Sequence, residues 1–212
     1  LQGKPLLVTG GGSGIGRAVC LAGAASGAPI GVIDLQSEAA EETARMIRNA
    51  GGRAEVALCD VAVRKQVEDA IASLETRLGT PRLLVASAGI SKAAHATEMS
   101  EVEWQSVIDV NLTGVFNTCQ SAGKRMVAAG AGVIVIVSSI SGMGGHGART
   151  NYSATKFGVT GIARSLAIEW GRHGVRVNAI HPGSVDTPLL RRVMPADYIE
   201  NVVLGRNPMA RM

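Results

Sequence analysis

A doubly wound α/β fold on a parallel sheet is what these 212 residues predict, on three observations. Six short apolar runs recur along the chain, segments of helical spacing stand between them, and a glycine-rich turn follows the first run. Strands of a parallel sheet, buried on both faces, read as continuous apolar runs rather than alternating ones. Repeated strand–helix–strand units cross over right-handedly and lay helices on both faces of one sheet.

The runs are Leu6–Thr9, Ile30–Asp34, Ala54–Cys59, Leu83–Ala86, Val133–Val137 and Val175–Ile180. Between the second and third, Ser37 reads as the cap of a helix that Gly51-Gly52 ends. Val63–Leu78 closes at Gly79, with Pro81 just beyond. Ser100-Glu101-Val102-Glu103 has the form of a capping box and opens a long helix. No linker or low-complexity stretch divides the chain, so residues 1–212 are expected to form a single domain.

Composition narrows the function classes. Hydrophobic residues make up 46% and charged ones 18%, a globular balance. Cys20, Cys59 and Cys119 are odd in number, far apart and without zinc spacing, which points to buried thiols in a reducing compartment. The expectation is a cytoplasmic protein without a metal site. No apolar run of about 18 residues and no signal peptide is present, so no membrane association is expected. The net charge of +4 is scattered, and aromatic residues are only 3%, which leaves nucleic acid without a stacking platform.

The first strand runs into Thr9-Gly10-Gly11-Gly12-Ser13-Gly14-Ile15-Gly16, and a helix pattern follows. Glycines there permit a tight turn and close approach of a pyrophosphate to the backbone, with free N–H groups at the helix start. The register is G-x-x-x-G-x-G on Gly10, Gly14 and Gly16, not the strict G-x-G-x-x-G; Ser13 and Ile15 complete the cradle. Asp34 ends the second strand 20 residues after Gly14, where an acid meets adenosine ribose hydroxyls. Alone it is equally a turn residue or a cap. With the glycine turn it favours NAD, because a 2′-phosphate would be repelled and neither Ser13 nor Leu35 offers a compensating charge.

Tyr152 and Lys156, four apart in a helical stretch, share one face. A free phenol titrates near about 10 and needs help to act as a base at neutral pH. A neighbouring ammonium and an oxidised nicotinamide lower that pKa, so that Tyr152 takes a proton from an alcohol as hydride leaves. On its own the pair also reads as a solvated helix face. Ser139 sharpens it: it stands at the carboxyl end of the fifth strand, where ligands sit in such sheets, and its hydroxyl would orient the substrate oxygen. Ser138 and Ser141 compete for that role, and turn or cap roles for Ser139 stay open.

In this order, Thr-Gly-x-x-x-Gly-x-Gly, Ser139 and Tyr-x-x-x-Lys resemble the non-extended short-chain dehydrogenase/reductase family. The resemblance covers nearly the whole chain and implies a Rossmann-type domain with strand order 3-2-1-4-5-6. The family continues into a further helix and a seventh strand that this chain lacks, so truncation after Met212 is expected. The resemblance further implies that Asp60 and Val61 meet the adenine ring. Asn111 matches the fourth catalytic residue, which holds a water in a proton relay to the lysine. Lys156 also bonds the nicotinamide ribose, and Pro182, Gly183, Val185 and Thr187 belong to a loop gripping the carboxamide. The family's Asn-Asn-Ala-Gly is Ala86-Ser87-Ala88-Gly89 here, so Ser87, Ala88 and Gly89 take the cofactor-facing places with a shorter side chain. His181 stands where an apolar residue is commoner and reads as structural.

The function expected is reversible hydride transfer between NAD(H) and a secondary alcohol/ketone pair, with Asn111, Ser139, Tyr152 and Lys156 catalytic. An isomerase or dehydratase using held NAD, and an NAD-binding redox sensor, are the alternatives. The family pairs subunits through the helices from Ser100 and Tyr152, so a homodimer or homotetramer is expected. The resemblance sets the substrate pocket among Ser91–His95, Ser141–Arg149 and the segment after Thr187, which bring Lys92, His95, His146, Arg149, Met194 and Tyr198; scattered surface charge is the plainer meaning of the basic ones.

Overall fold

In a computed structural model, which describes residues 1–206, 209 and 212, the six runs are six parallel strands. They are β1 (Leu6–Thr9), β2 (Ile30–Asp34), β3 (Ala54–Leu58), β4 (Leu83–Ala86), β5 (Gly132–Val137) and β6 (Val175–Ile180), in the order β3-β2-β1-β4-β5-β6. The helices are α1 (Gly14–Ala25), α2 (Ser37–Asn49), α3 (Arg64–Leu78), α4 (Glu101–Ile108), α5 (Gly114–Ala128), α6 (Thr150–Gly171) and α7 (Pro188–Val193). This is the single Rossmann-like sheet that the sequence predicts. The side chain of Tyr198 lies outside the described residues.

Alternate strand residues divide the core into two layers. Leu6, Val8, Ile30 and Val32 pack with Cys20, Ala40, Ala44 and Ile47 of α1 and α2. Leu7, Ile33, Leu84, Ile134 and Ile136 point the other way, onto α3, α5 and α6. Continuous apolar runs hold for β1 and β2, which are buried on both faces. They do not hold for β6, where Val175 and Val177 are buried while Arg176, Asn178 and Ile180 are exposed. Helices α5 and α6 pack on the Val175 and Val177 face of β6, and the Arg176 and Asn178 face is exposed.

Four boundaries differ from expectation by one residue: β5 begins at Gly132, α3 begins at Arg64 after Val63, and the other two are set by Asp34. The α2 cap is Gln36, one residue before Ser37, because Asp34 Oδ1 accepts from the Gln36 N–H at 3.0 Å and starts the turn there. Strand β3 stops at Leu58; the N–H of Cys59 then crosses to the Asp34 carbonyl at 2.9 Å. The capping box at Ser100 is present in full: its Oγ accepts from Glu103 N, and Glu103 Oε2 accepts from Ser100 N.

Since all strands are parallel, their carboxyl ends share one edge. The chain order reverses between β1 and β4, where Thr9 pairs with Ala86. Loops diverging there leave a crevice at the switch point.

Candidate active site

The glycine turn occupies that crevice. Gly10 has φ +67°, and a Cβ on it would lie 2.9 Å from the Ala88 Cα, so this turn and the β4 loop pack backbone against backbone. A Cβ on Gly16 would lie 2.1 Å from the Gly10 carbonyl oxygen. The N–H of Gly12 donates to Asp34 Oδ2 at 2.9 Å, which fixes the carboxylate beside the turn. Gly14, with φ +51°, sets its open side 3.2 Å from Thr187 Cγ2, joining the turn to the loop after β6. Helices α4 and α7 are capped by the side chains of Ser100 and Thr187, whereas Ser13 makes no cap on α1. An uncapped helix start behind a turn stripped of side chains fits a dinucleotide's pyrophosphate.

Thr9 is a site residue that the sequence reading quoted without giving it a role. Its Oγ1 accepts from the N–H groups of Ser87 and Ala88 at 3.2 and 3.3 Å, so it bridges the switch point. Nothing in the sequence distinguishes this buried hydroxyl from an ordinary strand-end threonine.

On the other side of the crevice, α4 passes into α5 through a π-helical turn, Asp109–Thr113, centred on Asn111. The Asn111 amide is bonded to the β4 loop and to α6: Oδ1 accepts from Ile90 N at 2.8 Å, and Nδ2 donates to Ile90 O at 2.9 Å and to Thr155 Oγ1 at 3.5 Å. Gly89 lies between Asn111 and Lys156, its open side 3.3 Å from Asn111 Oδ1 and 4.0 Å from Lys156 Nζ. π turns of this kind recur at functional sites. Asn151, buried, donates to the Glu103 carbonyl at 3.3 Å and so ties α6 to α4 one residue before Tyr152.

Tyr152 and Lys156 stand on one face of α6, the ammonium 5.4 Å from the ring centroid. Lys156 is 5% exposed, and its Nζ donates to the Val137 carbonyl at 2.8 Å. Burial brings its pKa down from 10.5 to about 8. Burial also pushes the Tyr152 phenol above its usual value, while a hydrogen bond with Ser139 and the charge of Arg149 pull it down. Ser139 and Arg149 thus act on the phenol from outside the Tyr152–Lys156 face, while the Lys156 ammonium stands by the ring.

The three neighbouring serines separate cleanly. Ser138 is buried, with its Oγ donating to the Lys156 carbonyl at 2.9 Å, which fastens β5 to α6. Ser141 Oγ is 3.1 Å from His146 Nδ1. Ser139 is the one whose hydroxyl lowers the Tyr152 pKa, and its Oγ accepts from Ser141 N at 3.1 Å. His181 Nδ1 donates to the Ser139 carbonyl at 3.0 Å, so the structural reading of this histidine includes holding the Ser139 backbone. Ile140 N donates to Pro182 O at 3.0 Å, bringing the Pro182–Thr187 loop alongside.

Not every predicted residue turns its side chain to the crevice. Val61 is buried in the core, where Gly114 leaves room for its Cγ2, and its carbonyl accepts from Asn117 Nδ2 at 3.1 Å. Asp60 Oδ1 accepts from Ala62 N at 2.9 Å, at the carboxyl end of β3 and two strands from the switch point. Leu35 is 67% exposed. Lys92, His95 and His146 are exposed, and Arg149 is half-buried.

The model of the short chain dehydrogenase family matches residues 4–197. The chain is 42% identical over 189 residues to D-threitol dehydrogenase of Mycolicibacterium smegmatis, covering 89% of this chain and 73% of that protein. It is 34% identical over 211 residues to the 3-oxoacyl-[acyl-carrier-protein] reductase FabG of Thermotoga maritima, covering 100% and 85%. Among solved structures, that of levodione reductase superposes with a TM-score of 0.95 at 32% identity, over 100% of this chain and 85% of that one. A switch-point crevice carrying Ser139, Tyr152 and Lys156 is thus matched by likeness along nearly the whole sequence, and the chain belongs to the short-chain dehydrogenase family.

Proposed function

We propose that this chain is an NAD(H)-dependent oxidoreductase acting on a secondary alcohol/ketone pair. The observation that carries the reading is the convergence of Ser139, Tyr152 and Lys156 at the carboxyl ends of β4 and β5, beside the uncapped start of α1. Relatives named as a dehydrogenase and as reductases support it.

Gly10 and Ser13, Gly14, Ile15 and Gly16 would hold the pyrophosphate, Asp34 with Leu35 the adenosine ribose, and Asp60 with Val61 the adenine. Ser87, Ala88, Gly89, Tyr152 and Lys156 would hold the nicotinamide ribose, and Pro182, Gly183, Val185 and Thr187 the carboxamide. When bound, the nicotinamide gives or accepts the hydride. Ser139 donates to the substrate oxygen and orients it, while Tyr152 takes the alcohol proton or returns it to the ketone. Lys156 keeps a proton exchangeable near neutrality, since burial has brought its pKa to about 8. Asn111 is held by Ile90 and Thr155, and a relay water would be held at this position beside the π turn.

NAD rather than NADP follows from Asp34, whose carboxylate stands beside the turn on the Gly12 and Gln36 N–H groups. Arg17, on the first turn of α1, is already committed to Glu42 at 3.0 Å. A cytoplasmic setting is supported by three free, buried cysteines whose thiols burial pushes up to about 11 or 12. Among the described residues, no helix is long and apolar enough to cross a membrane.

Four outcomes test this reading. Tyr152→Phe keeps the ring but removes the exchangeable proton, so kcat should fall ~10²- to 10⁴-fold with NADH affinity near that of the parent. Near-parent turnover on a good substrate, followed by NADH absorbance, would refute the assignment.

Lys156 makes stability depend on pH. Its folded pKa of about 8 lies below the 10.5 of the unfolded chain, so the unfolded state binds more protons between the two. The burial cost is present in full below about pH 8 and is relieved as pH rises towards 10.5. Urea melts of the parent and of Lys156→Met should therefore diverge in the parent's favour across that window. A constant difference would mean that burial does not lower the lysine's pKa and that it stays charged in the folded chain.

Asp34→Ser should raise kcat/KM for NADP while lowering it for NAD, narrowing a preference that the parent holds by roughly tenfold or more. Parity of the two cofactors in the parent would overturn the NAD assignment.

Helices α4 to α6 expose Val102, Trp104, Phe116, Phe157 and Ile168, with Val102 78% and Ile168 83% accessible. Apolar side chains so displayed support a homodimer or homotetramer through these helices. Light scattering should give twice or four times the 21.8 kDa chain mass; a monomer would count against it.

A further inference from the structure

Three residues before Tyr152 stands a guanidinium that no carboxylate answers. Among the other half-buried arginines, Arg17, Arg77 and Arg125 each meet a glutamate at 3.0 Å or less, while Arg82, away from Tyr152 at the start of β4, meets no carboxylate among the described residues either. Arg149 donates through Nη1 to the neutral Ser91 Oγ at 2.9 Å, and its Nε and Nη2 find no protein partner among the described residues. A partly buried cation without a counter-charge is costly to keep unless a ligand supplies that charge.

Its placement is built by two loops. Ser91 lies in the loop after β4, and Arg149 leads into α6. The loops are joined next door, where Ala94 N donates to the Ala148 carbonyl at 3.1 Å. Ala148 has φ +57°, the left-handed region, and no other non-glycine residue among those described does so. Strain of this kind persists where the surroundings impose it, and it clusters at sites that must aim a side chain. Arg149 is also near enough for its charge to act on the Tyr152 phenol.

We infer that Arg149, seated on Ser91, receives an anionic group of the substrate, so that the alcohol handled here is a hydroxy acid with its carboxylate near the carbinol carbon. A guanidinium with one edge spent and Nε and Nη2 left over matches the two oxygens of a carboxylate. With the carboxylate on Arg149, the hydroxyl reaches Ser139 and Tyr152. The oxidised product is the corresponding oxo acid. This inference rests on the oxidoreductase reading above.

The test compares a series of 2- and 3-hydroxy acids with their methyl esters, using NAD and the intact chain. For the best acid, the parent should favour acid over ester in kcat/KM by roughly 30- to 5000-fold, the range for losing one partner of a bonded charge pair. Arg149→Gln should bring that ratio close to one, chiefly through KM of the acid, and Arg149→Lys should restore part of it. If Arg149→Gln does not fold, the parent's ratio and that of Arg149→Lys still decide. A ratio near one in the parent, or one that Arg149→Gln leaves unchanged, overturns the inference and makes Arg149 a strut between loops. Turnover of neutral secondary alcohols without preference for acids sinks this inference alone. Tight NADH binding with no turnover of acids, esters or neutral alcohols overturns the oxidoreductase reading, and this inference with it.

Discussion

The backbone of the first turn doubles back so tightly that a Cβ on Gly16 would lie 2.1 Å from the carbonyl oxygen of Gly10. A similar approach, 2.9 Å from a Cβ on Gly10 to the Ala88 Cα, presses that turn against the loop after β4. Both contacts are backbone on backbone, so no side-chain rearrangement relieves them. From them follow the direction of α1, the seating of the Ser87–Gly89 loop on Thr9, and through Ile90 the position of Asn111. A disturbance at the glycine turn would reach residues a hundred positions away in sequence.

Opposed burial terms organise the chemistry. Tyr152 and Lys156 share a face of α6, and desolvation acts on both, raising the acid's pKa and lowering the base's. Each is pushed towards its neutral form, and neither is fully neutralised by the other. The groups that pull the phenol back are Ser139, from β5, and Arg149, from the start of α6. Tyr152 is therefore tuned from across the crevice as well as from its own helix.

Much of this was legible in the sequence because it rests on local rules. Continuous apolar runs marked the strands, and the glycine register marked the turn; Ser100 with Glu103 marked a helix start that the structure reproduces. Less legible were features set by tertiary contact. Ser37 looks like a cap, but Asp34 reaches Gln36 first. That the Val61 side chain packs into the core depends on α5 bringing the bare Gly114 against it. Arg149 read as surface charge because its exposure and lack of a partner depend on where Ser91 falls. Ser139 emerges from three adjacent candidates only when α6 is in place to claim Ser138.

The π turn at Asp109–Thr113 has a consequence for how one long helix serves two neighbours. Val107, Asn111 and Val115 are all buried, at 0%, 0% and 4% exposure. In an unbroken α-helix the eight residues from Val107 to Val115 would overshoot two full turns by about 80°, and the two valines would face different ways. The wider π turn takes up that excess, so the inward stripes before and after it line up, with the Asn111 amide between them. Beyond it, Cys119, Ala122 and Met126 continue at ordinary α spacing into the core. The extra residue acts as a phase corrector: it allows a polar amide to sit in the buried stripe while the apolar seam on either side stays continuous.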